Sequence, residues 1–394
     1  MADGTLPSGQ ETEAGKPACS QSILTIPPET FERIAQLADP HDLLALRQVC
    51  KESSGRVWRT YINVHFAERS VLLCSEHSMH TLLRIAENET RRRAVKKVVL
   101  SVNQIPTKEE RRRLDYPHEG DAQKQFQLRN VEANTLTVIF ANFRCLGNIV
   151  EVEVKNQSDE EPIAHGMKTL EMLCGTYTHP CDDSSRLVRA VIHALALSAL
   201  PVSNLSITTF DWYWYFYELV ADSKILSSTR LVLAILEQLK IQYDYEYGLV
   251  DDEVTGFYDL LQSAPKLRVL SLIGTSEPHH PIRADRRIIS EHFLAGQYRA
   301  LETLELTGLA LEFKGVAALI KHNAKLKSIR FHECLFHSLS DVEIELVDRY
   351  MLNPNVTHSE VVAKIVKQLS GIAEVLPGSC RISIRSEEEE ATTP

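Results

Sequence analysis

The residues able to do chemistry are scattered through this 394-residue chain, and their spacing decides what they can do. "HECLFH", residues 332–337, brings a zinc-protease motif to mind. That chemistry needs two His four apart on one helical face, so that both imidazoles reach one ion. His332 and His337 are five apart, and His332 ends a predicted strand. Cys174, His179 and Cys181 in "CGTYTHPC" offer three soft ligands among turn residues, with no fourth evident. His279 and His280 in "SEPHHPIRADRR" read as an exposed loop. The sixteen glycines form neither G-x-G nor G-x-x-x-x-G-K, so no phosphate-cradling loop is expected, and there is no G-x-S-x-G. The expectation is a protein with no catalytic residue, no metal and no cofactor.

Charge and composition narrow the partners. A net charge of −10 and a pI near 5.9 argue against nucleic acid, whose phosphates must be neutralised by Lys and Arg. An apolar content of 44% and a charged content of 24% are those of a chain that folds, and its length calls for two domains or one elongated architecture. Residues 1–22 have no basic start and no apolar run, hence read as a disordered tail rather than a secretory signal or anchor. The longest apolar stretch, "AVIHALALSALPV" at 190–202, is too short for a bilayer, so no membrane partner is expected. Eight scattered cysteines, never in C-x-x-C, fit reduced thiols. A cytoplasmic or nuclear protein is expected. Arg91–Arg93 with Lys96 and Lys97, and Arg111–Arg113, read either as an import signal or as solvated helix faces. The C-terminal "SEEEEATTP", residues 386–394, reads as an acidic disordered tail.

The elements that position these residues begin at "TIPPETFERIAQLADPHDLLALRQVC", residues 25–50. Pro27 and Pro28 suit a first helical turn, after which Phe31, Ile34 and Leu37 recur in steps of three. A second helix starts at Asp39 as N-cap, with Pro40 first and Asp42 third. Leu43, Leu46 and Cys50 run along one of its faces, and Leu44 and Val49 widen the apolar surface. After Gly55 a third short segment carries Val57 and Trp58. Two short helices cannot bury so many apolar residues within themselves. Something must cover them, either the domain that follows or another protein.

The order of residues resembles the F-box, whose pattern runs Leu-Pro-x-Glu, apolar residues, Asp-Leu-Leu and then Val-Cys with a basic residue. Ile26, Pro27, Glu29, Phe31, Ile34, Leu37, Asp42, Leu43, Leu44, Leu46, Val49, Cys50 and Lys51 match it in order and spacing, and Ser53 stands where the family usually has Trp. The resemblance covers residues 23–66 and implies a three-helix domain that docks a Skp adaptor and, through it, a cullin ubiquitin ligase. The docking residues it implies are Ile26, Pro27, Pro28, Phe31, Ile34, Leu43, Leu44, Leu46, Val49, Cys50 and Trp58.

Beyond this region "YINVHFAERSVLL" reads as extended, "SMHTLLRIAEN" as helix and "VKKVVLSV" as strand, a succession similar to the region after the F-box in many fungal proteins. An L-x-x-L-x-L-like cell then recurs from Leu267, Leu301 and Leu326, with weaker copies from Leu236, Val202 and Gly147, at separations of about 24 to more than 50 residues. Two architectures fit residues 67–385: a non-repetitive α/β domain, or an irregular solenoid resembling leucine-rich repeats. The second is the adopted expectation, giving an α/β chain with an N-terminal three-helix F-box and a repeat-like substrate domain. Its outward strand positions are Asn204, Ser206, Thr208, Gln238, Lys240, Gln242, Val269, Ser271, Thr303, Glu305, Ser328, Arg330 and His332.

"DWYWYFY", residues 211–217, holds six consecutive aromatics that cannot all face one core, and "YDYEY" follows at 243–247. Packing by a loop and an interface patch are both open for it. With the second choice, Trp212, Tyr213, Trp214, Tyr215, Thr303, Glu305, Arg330 and His332 form the candidate substrate surface. The resemblance implies a non-catalytic recognition subunit of a ubiquitin ligase with an unknown protein substrate. An interaction scaffold outside any ligase is the alternative, and an enzyme hidden in the long domain a third reading.

Overall fold

The computed structural model describes residues 25–102, 131–146, 149–156, 164, 184–208, 223–244, 258–262, 264–275, 291–332, 334–337 and 381–385. Two compact units divide the chain, Met1–Phe66 and Ala67–Pro394.

The first unit has three helices, α1 Pro28–Leu37, α2 Pro40–Val49 and α3 Lys51–Phe66. Asp39 caps α2: its carboxylate accepts the Asp42 backbone N–H at 2.8 Å, and that bond holds its pKa below the ordinary value. The third helix corrects the expectation of a short segment after Gly55 and an extended run from Tyr61. It passes straight through Gly55 and continues to Phe66. Val57 and Tyr61, one turn apart, pack onto the cluster of Phe31, Ala35 and Leu43, and this contact outweighs the glycine's weak helix preference. An ion pair of 2.7 Å between Glu52 and Arg56 bridges the turn that contains Gly55.

The second unit is built on nine parallel strands: β1 Glu68–Leu72, β2 Lys97–Ser101, β3 Glu151–Lys155, β4 Asn204–Thr208, β5 Gln238–Asp244, β6 Val269–Thr275, β7 Thr303–Thr307, β9 Ser328–His332 and β11 Arg381–Arg385. They lie in the sheet in the order in which they occur in the chain. β8 Ala310–Glu312 and β10 Leu335–His337 form a separate parallel pair. Parallel neighbours need a crossover, and crossovers of one hand that never reverse direction put their helices on one side. The helices are α4 Glu76–Glu87, α5 Glu89–Ala94, α6 Val131–Arg144, α7 Ser184–Ser198, α8 Ser223–Leu233, α9 Glu291–Ala295 and α10 Phe313–His322. α4 packs on α6, α6 on α7, α7 on α8, and α9 on α10.

Alternation along the strands builds the core. Val98, Leu100, Val152, Val154, Leu205, Ile207, Leu239, Ile241, Leu270, Leu272, Leu304, Leu306, Ile329 and Phe331 are all buried. The six recurring cells of the sequence contain β3 to β7 and β9. Loops are tied by specific groups. The buried Asn323 amide donates to the carbonyls of Gly296 and Leu319 and accepts the Tyr298 N–H. Gly308 has φ of 64°, and a Cβ there would lie 2.5 Å from the Gly274 carbonyl oxygen. Among the described residues no helix is long and apolar enough to cross a membrane.

Candidate functional site: an apolar helix surface and an outward sheet face

On the helical unit the expected docking residues divide. Phe31 and Leu43 are fully buried in one cluster with Ala35 and with Val57 of α3. Ile26, Leu46 and Cys50 are half-buried, while Pro27 and Pro28 are exposed. Ile34, Leu37, Leu44, Val49 and Trp58 stay exposed, Leu37 at 75% and Val49 at 61%. Val64 joins them. So small a core leaves an unusual share of its large apolar side chains in water.

Ser53 is buried, and its hydroxyl donates to the Leu46 carbonyl at 2.6 Å, joining the start of α3 to the end of α2. The Arg47 guanidinium lies over the rings of Trp58 at 4.8 Å and Tyr61 at 3.9 Å. Tyr61 in turn meets His65 at 4.2 Å, and a ring nitrogen of His65 lies 2.9 Å from the Pro40 carbonyl oxygen. This stack fixes the half-exposed Trp58 indole. Sequence reading missed Arg47 and Tyr61; their one signal was a cation a turn after Leu44 and an aromatic three residues after Trp58.

On the second unit the strand register aligns outward positions into three rows. The middle row runs Val99, Glu153, Ser206, Lys240, Ser271, Glu305, Arg330 and Ser383. Thr303 and Ser328 share the row on one side of it, and Thr208, Gln242 and His332 the row on the other. Gln242 and Ser271 lie in these outward rows and are buried there. In register Ser271 sits between Lys240 and Glu305, and Gln242 between Thr208 and Ile273.

Charges across the strands are mostly paired. Lys97 reaches Glu153 at 2.7 Å and Glu151 at 2.9 Å, and Lys155 reaches Glu153 at 3.8 Å. Partial burial pulls the Lys97 pKa down, but its hydrogen bonds to the two carboxylates prevail and hold it well above the ordinary lysine value. Glu305 pairs with Arg330. Just before the strands, Glu302 receives Arg268 through two nitrogens, at 3.0 and 3.1 Å, and Lys327 at 2.8 Å. The hydrogen bond from Arg268, then that from Lys327, lowers the Glu302 pKa to about 2. Glu151 and Glu153 were not singled out from the sequence, and Lys97 only as a member of a basic cluster, although the alternating "EVEVK" carries the signal.

Of the residues expected to bind substrate, Thr303, Glu305, Arg330 and His332 share the outward face, whereas Trp212, Tyr213, Trp214 and Tyr215 lie outside the described residues. So do Cys174, His179, Cys181, His279, His280, Arg111–Arg113 and both tails. Cys334 donates its thiol to the Leu306 carbonyl at 3.2 Å. Among the described residues no group of three His, Cys, Asp or Glu side chains is placed to hold a metal ion. No family model matches the sequence, and no curated protein matches it significantly.

Proposed function

We propose that the protein is the substrate-recognition subunit of a Skp-cullin-F-box ubiquitin ligase, with α1 to α3 docking the Skp adaptor and the second unit capturing a protein substrate. The observation that carries this reading is the exposure of Ile34, Leu37, Leu44, Val49 and Trp58 on a three-helix unit whose residue order resembles the F-box. Covering each such side chain contributes roughly 1.5–3 kcal/mol, so a partner that covers several is strongly favoured. In the second unit, parallel strands in chain order, six of the nine lying in degenerate leucine cells, support an irregular leucine-rich-repeat-like solenoid with the outward face as capture surface. The protein then needs no catalytic residue of its own.

Ligase work in cytoplasm or nucleus fits this reading. Of the first basic cluster, Arg93 pairs with Glu89 along its own helix and Lys97, on β2, pairs with Glu151 and Glu153, which favours structural charge pairing over an import signal. A non-ligase interaction scaffold is the second reading, favoured by the buried Ser53 at the position where the family usually presents Trp.

The test is affinity capture with the full chain and with Leu37→Asp/Val49→Asp, which places two charges on the exposed surface and leaves the core intact. Adaptor and cullin are expected with the parent chain and not with the variant. Equal recovery from both would sink the proposal. Adaptor without cullin would select the scaffold. Leu43→Asp is the folding control, because Leu43 lies inside the helical core.

A further inference from the structure

Polar side chains on the outward rows of the sheet differ in whether their hydrogen-bonding capacity is used. On β2 and β3 Lys97 and Lys155 meet Glu151 and Glu153, and on β7 and β9 Glu305 pairs with Arg330. Between them, on β4 to β6, the side chains of Ser206, Thr208, Lys240, Gln242 and Ser271 make no hydrogen bond or ion pair among the described residues. Gln242 and Ser271 are nevertheless each only 7% exposed. A buried polar group without a partner is costly, so two on neighbouring strands call for a functional reason.

The register gathers these groups. Lys240 is opposite Ser206 on β4 and Ser271 on β6, and Gln242, two residues further along the same face of β5, is opposite Thr208. Opposed positions are about 5 Å apart and alternate positions of one strand about 7 Å, so a small group above Lys240 lies within reach of Ser206, Ser271 and the longer Gln242. Lys240 is exposed and gives access to them.

Their chemistry selects a ligand. Lys240 is the one charged side chain among the described outward positions of β4 to β6, where Asn204, Gln238, Val269 and Ile273 are neutral. Asp244 ends β5 about 13 Å further along the strand. An ammonium, two hydroxyls and an amide can all donate, and a carboxylate accepts from each of them while matching the single positive charge. A phosphate, with nearly two negative charges, would find no second cation there. Because Lys240 is exposed, its ion pair with a free carboxylate would be weak; a carboxylate carried on a polypeptide adds contacts along the rows.

We propose that Lys240, Ser271 and Gln242, with Ser206 and Thr208 beside them, form a subsite for the carboxylate of an acidic side chain on a captured protein. The inference rests on the reading of the outward face as a capture surface and names what that surface takes: a segment bearing Asp or Glu. It holds whether or not the protein works in a ligase.

The test is selection of random displayed dodecapeptides on the full chain, with counter-selection on Lys240→Ala, at physiological ionic strength, where the repulsion from a net charge of −10 is screened. Surviving peptides are expected to share an Asp or Glu, to bind Lys240→Ala about fivefold more weakly or worse, and to bind Ser271→Ala and Gln242→Met roughly threefold more weakly. Both neutral variants should keep the parent's denaturant midpoint, since neither side chain has a protein partner to lose; a lowered midpoint in both would assign them to the fold and overturn the subsite. Survivors without an acidic residue, or no survivors, overturn it too. Peptides that bind parent and Lys240→Ala alike but fail on Glu305→Lys/Arg330→Glu would keep the face as a capture surface and overturn the carboxylate subsite alone. Glutarate displacing the peptides at equal concentration would make the ligand a free small carboxylate, and a phosphoserine peptide binding tighter than its Glu counterpart would make it a phosphate; either result overturns the proposal.

Discussion

Replacing Ser53 by Trp introduces the residue that the F-box pattern, which this region resembles, usually carries at the matching position, yet the structure assigns it a destabilising effect. The Ser53 side chain is wholly enclosed, and its hydroxyl holds the Leu46 carbonyl near the C-terminal end of α2. Removing the hydroxyl costs about 1 kcal/mol, the usual net worth of such a bond. Forcing an indole into a space that holds a hydroxymethyl group adds roughly 1–3 kcal/mol of overpacking. The expected total is about 2–4 kcal/mol for the Trp variant, against about 1 kcal/mol for Ser53→Ala. The unit has four fully buried apolar residues at its centre, so this is a large part of its stability. Hydrogen exchange of full-length protein, followed on peptides from α2 and α3, measures the change without assuming that the unit folds by itself. Amide protection there should fall in the order parent, Ala, Trp. A Trp variant as well protected as the parent, with the Ala variant weakened, would refute the reasoning, because it would mean that the Ser53 site opens outward and accepts the larger ring.

Gly55→Ala should stabilise the helical unit by about 0.5–1 kcal/mol, since Gly55 is mid-helix and an added Cβ meets nothing within 4 Å; the same exchange experiment reads it. Gly308→Ala should lower the stability of the second unit by roughly 1–2 kcal/mol or more, from the left-handed φ and the clash with the Gly274 carbonyl, seen as a lower denaturant midpoint. The Glu302 pKa is depressed from 4.5 to about 2, so its contribution is complete above the unfolded value and is lost as pH falls towards 2. Parent protein should therefore lose more stability than Glu302→Gln between pH 5 and pH 3 in thermal unfolding, and parallel curves would refute the assignment. Arg47→Ala should free the Trp58 indole and, under the proposed adaptor docking, reduce adaptor capture, whereas Arg47→Lys should retain part of it; equal capture by all three would show that the stack does not orient the proposed docking surface.

What could be read from the sequence was whatever short-range chemistry decides. Asp39, Pro40 and Asp42 mark a helix start by themselves, and the structure has the cap. Alternation in "LETLELT" tells which side chains enter the core, and Leu304 and Leu306 are buried as a period of two requires. What stayed hidden depends on neighbours distant in sequence. Phe31 and Ile34 look alike along α1, as do Leu43 and Leu44 along α2; only the path of α3 decides which is enclosed. Gly55 read as a break because local preference cannot see Val57 and Tyr61 anchored across the helical core. Gln242 and Ser271 are buried in outward rows, which nothing in either segment signals. The rows of charges had the same difficulty: Lys97 meets Glu151 across more than fifty residues of chain, and nothing in either segment names the other.

The order of the strands has a consequence for how this chain tolerates length change. Thr307 and Ser328 are about twenty residues apart, Ser101 and Glu151 about fifty, yet both intervals deliver the next strand to the same register beside its predecessor. Each strand answers only to the two beside it. An insertion between strands would lengthen a loop without moving any rung, and a chain cut in such a loop would end the sheet early with a fresh edge instead of opening a gap in its middle. Shortened and extended versions of the second unit would then differ in reach and in how much surface they display, while the packing of every shared strand stayed as it is.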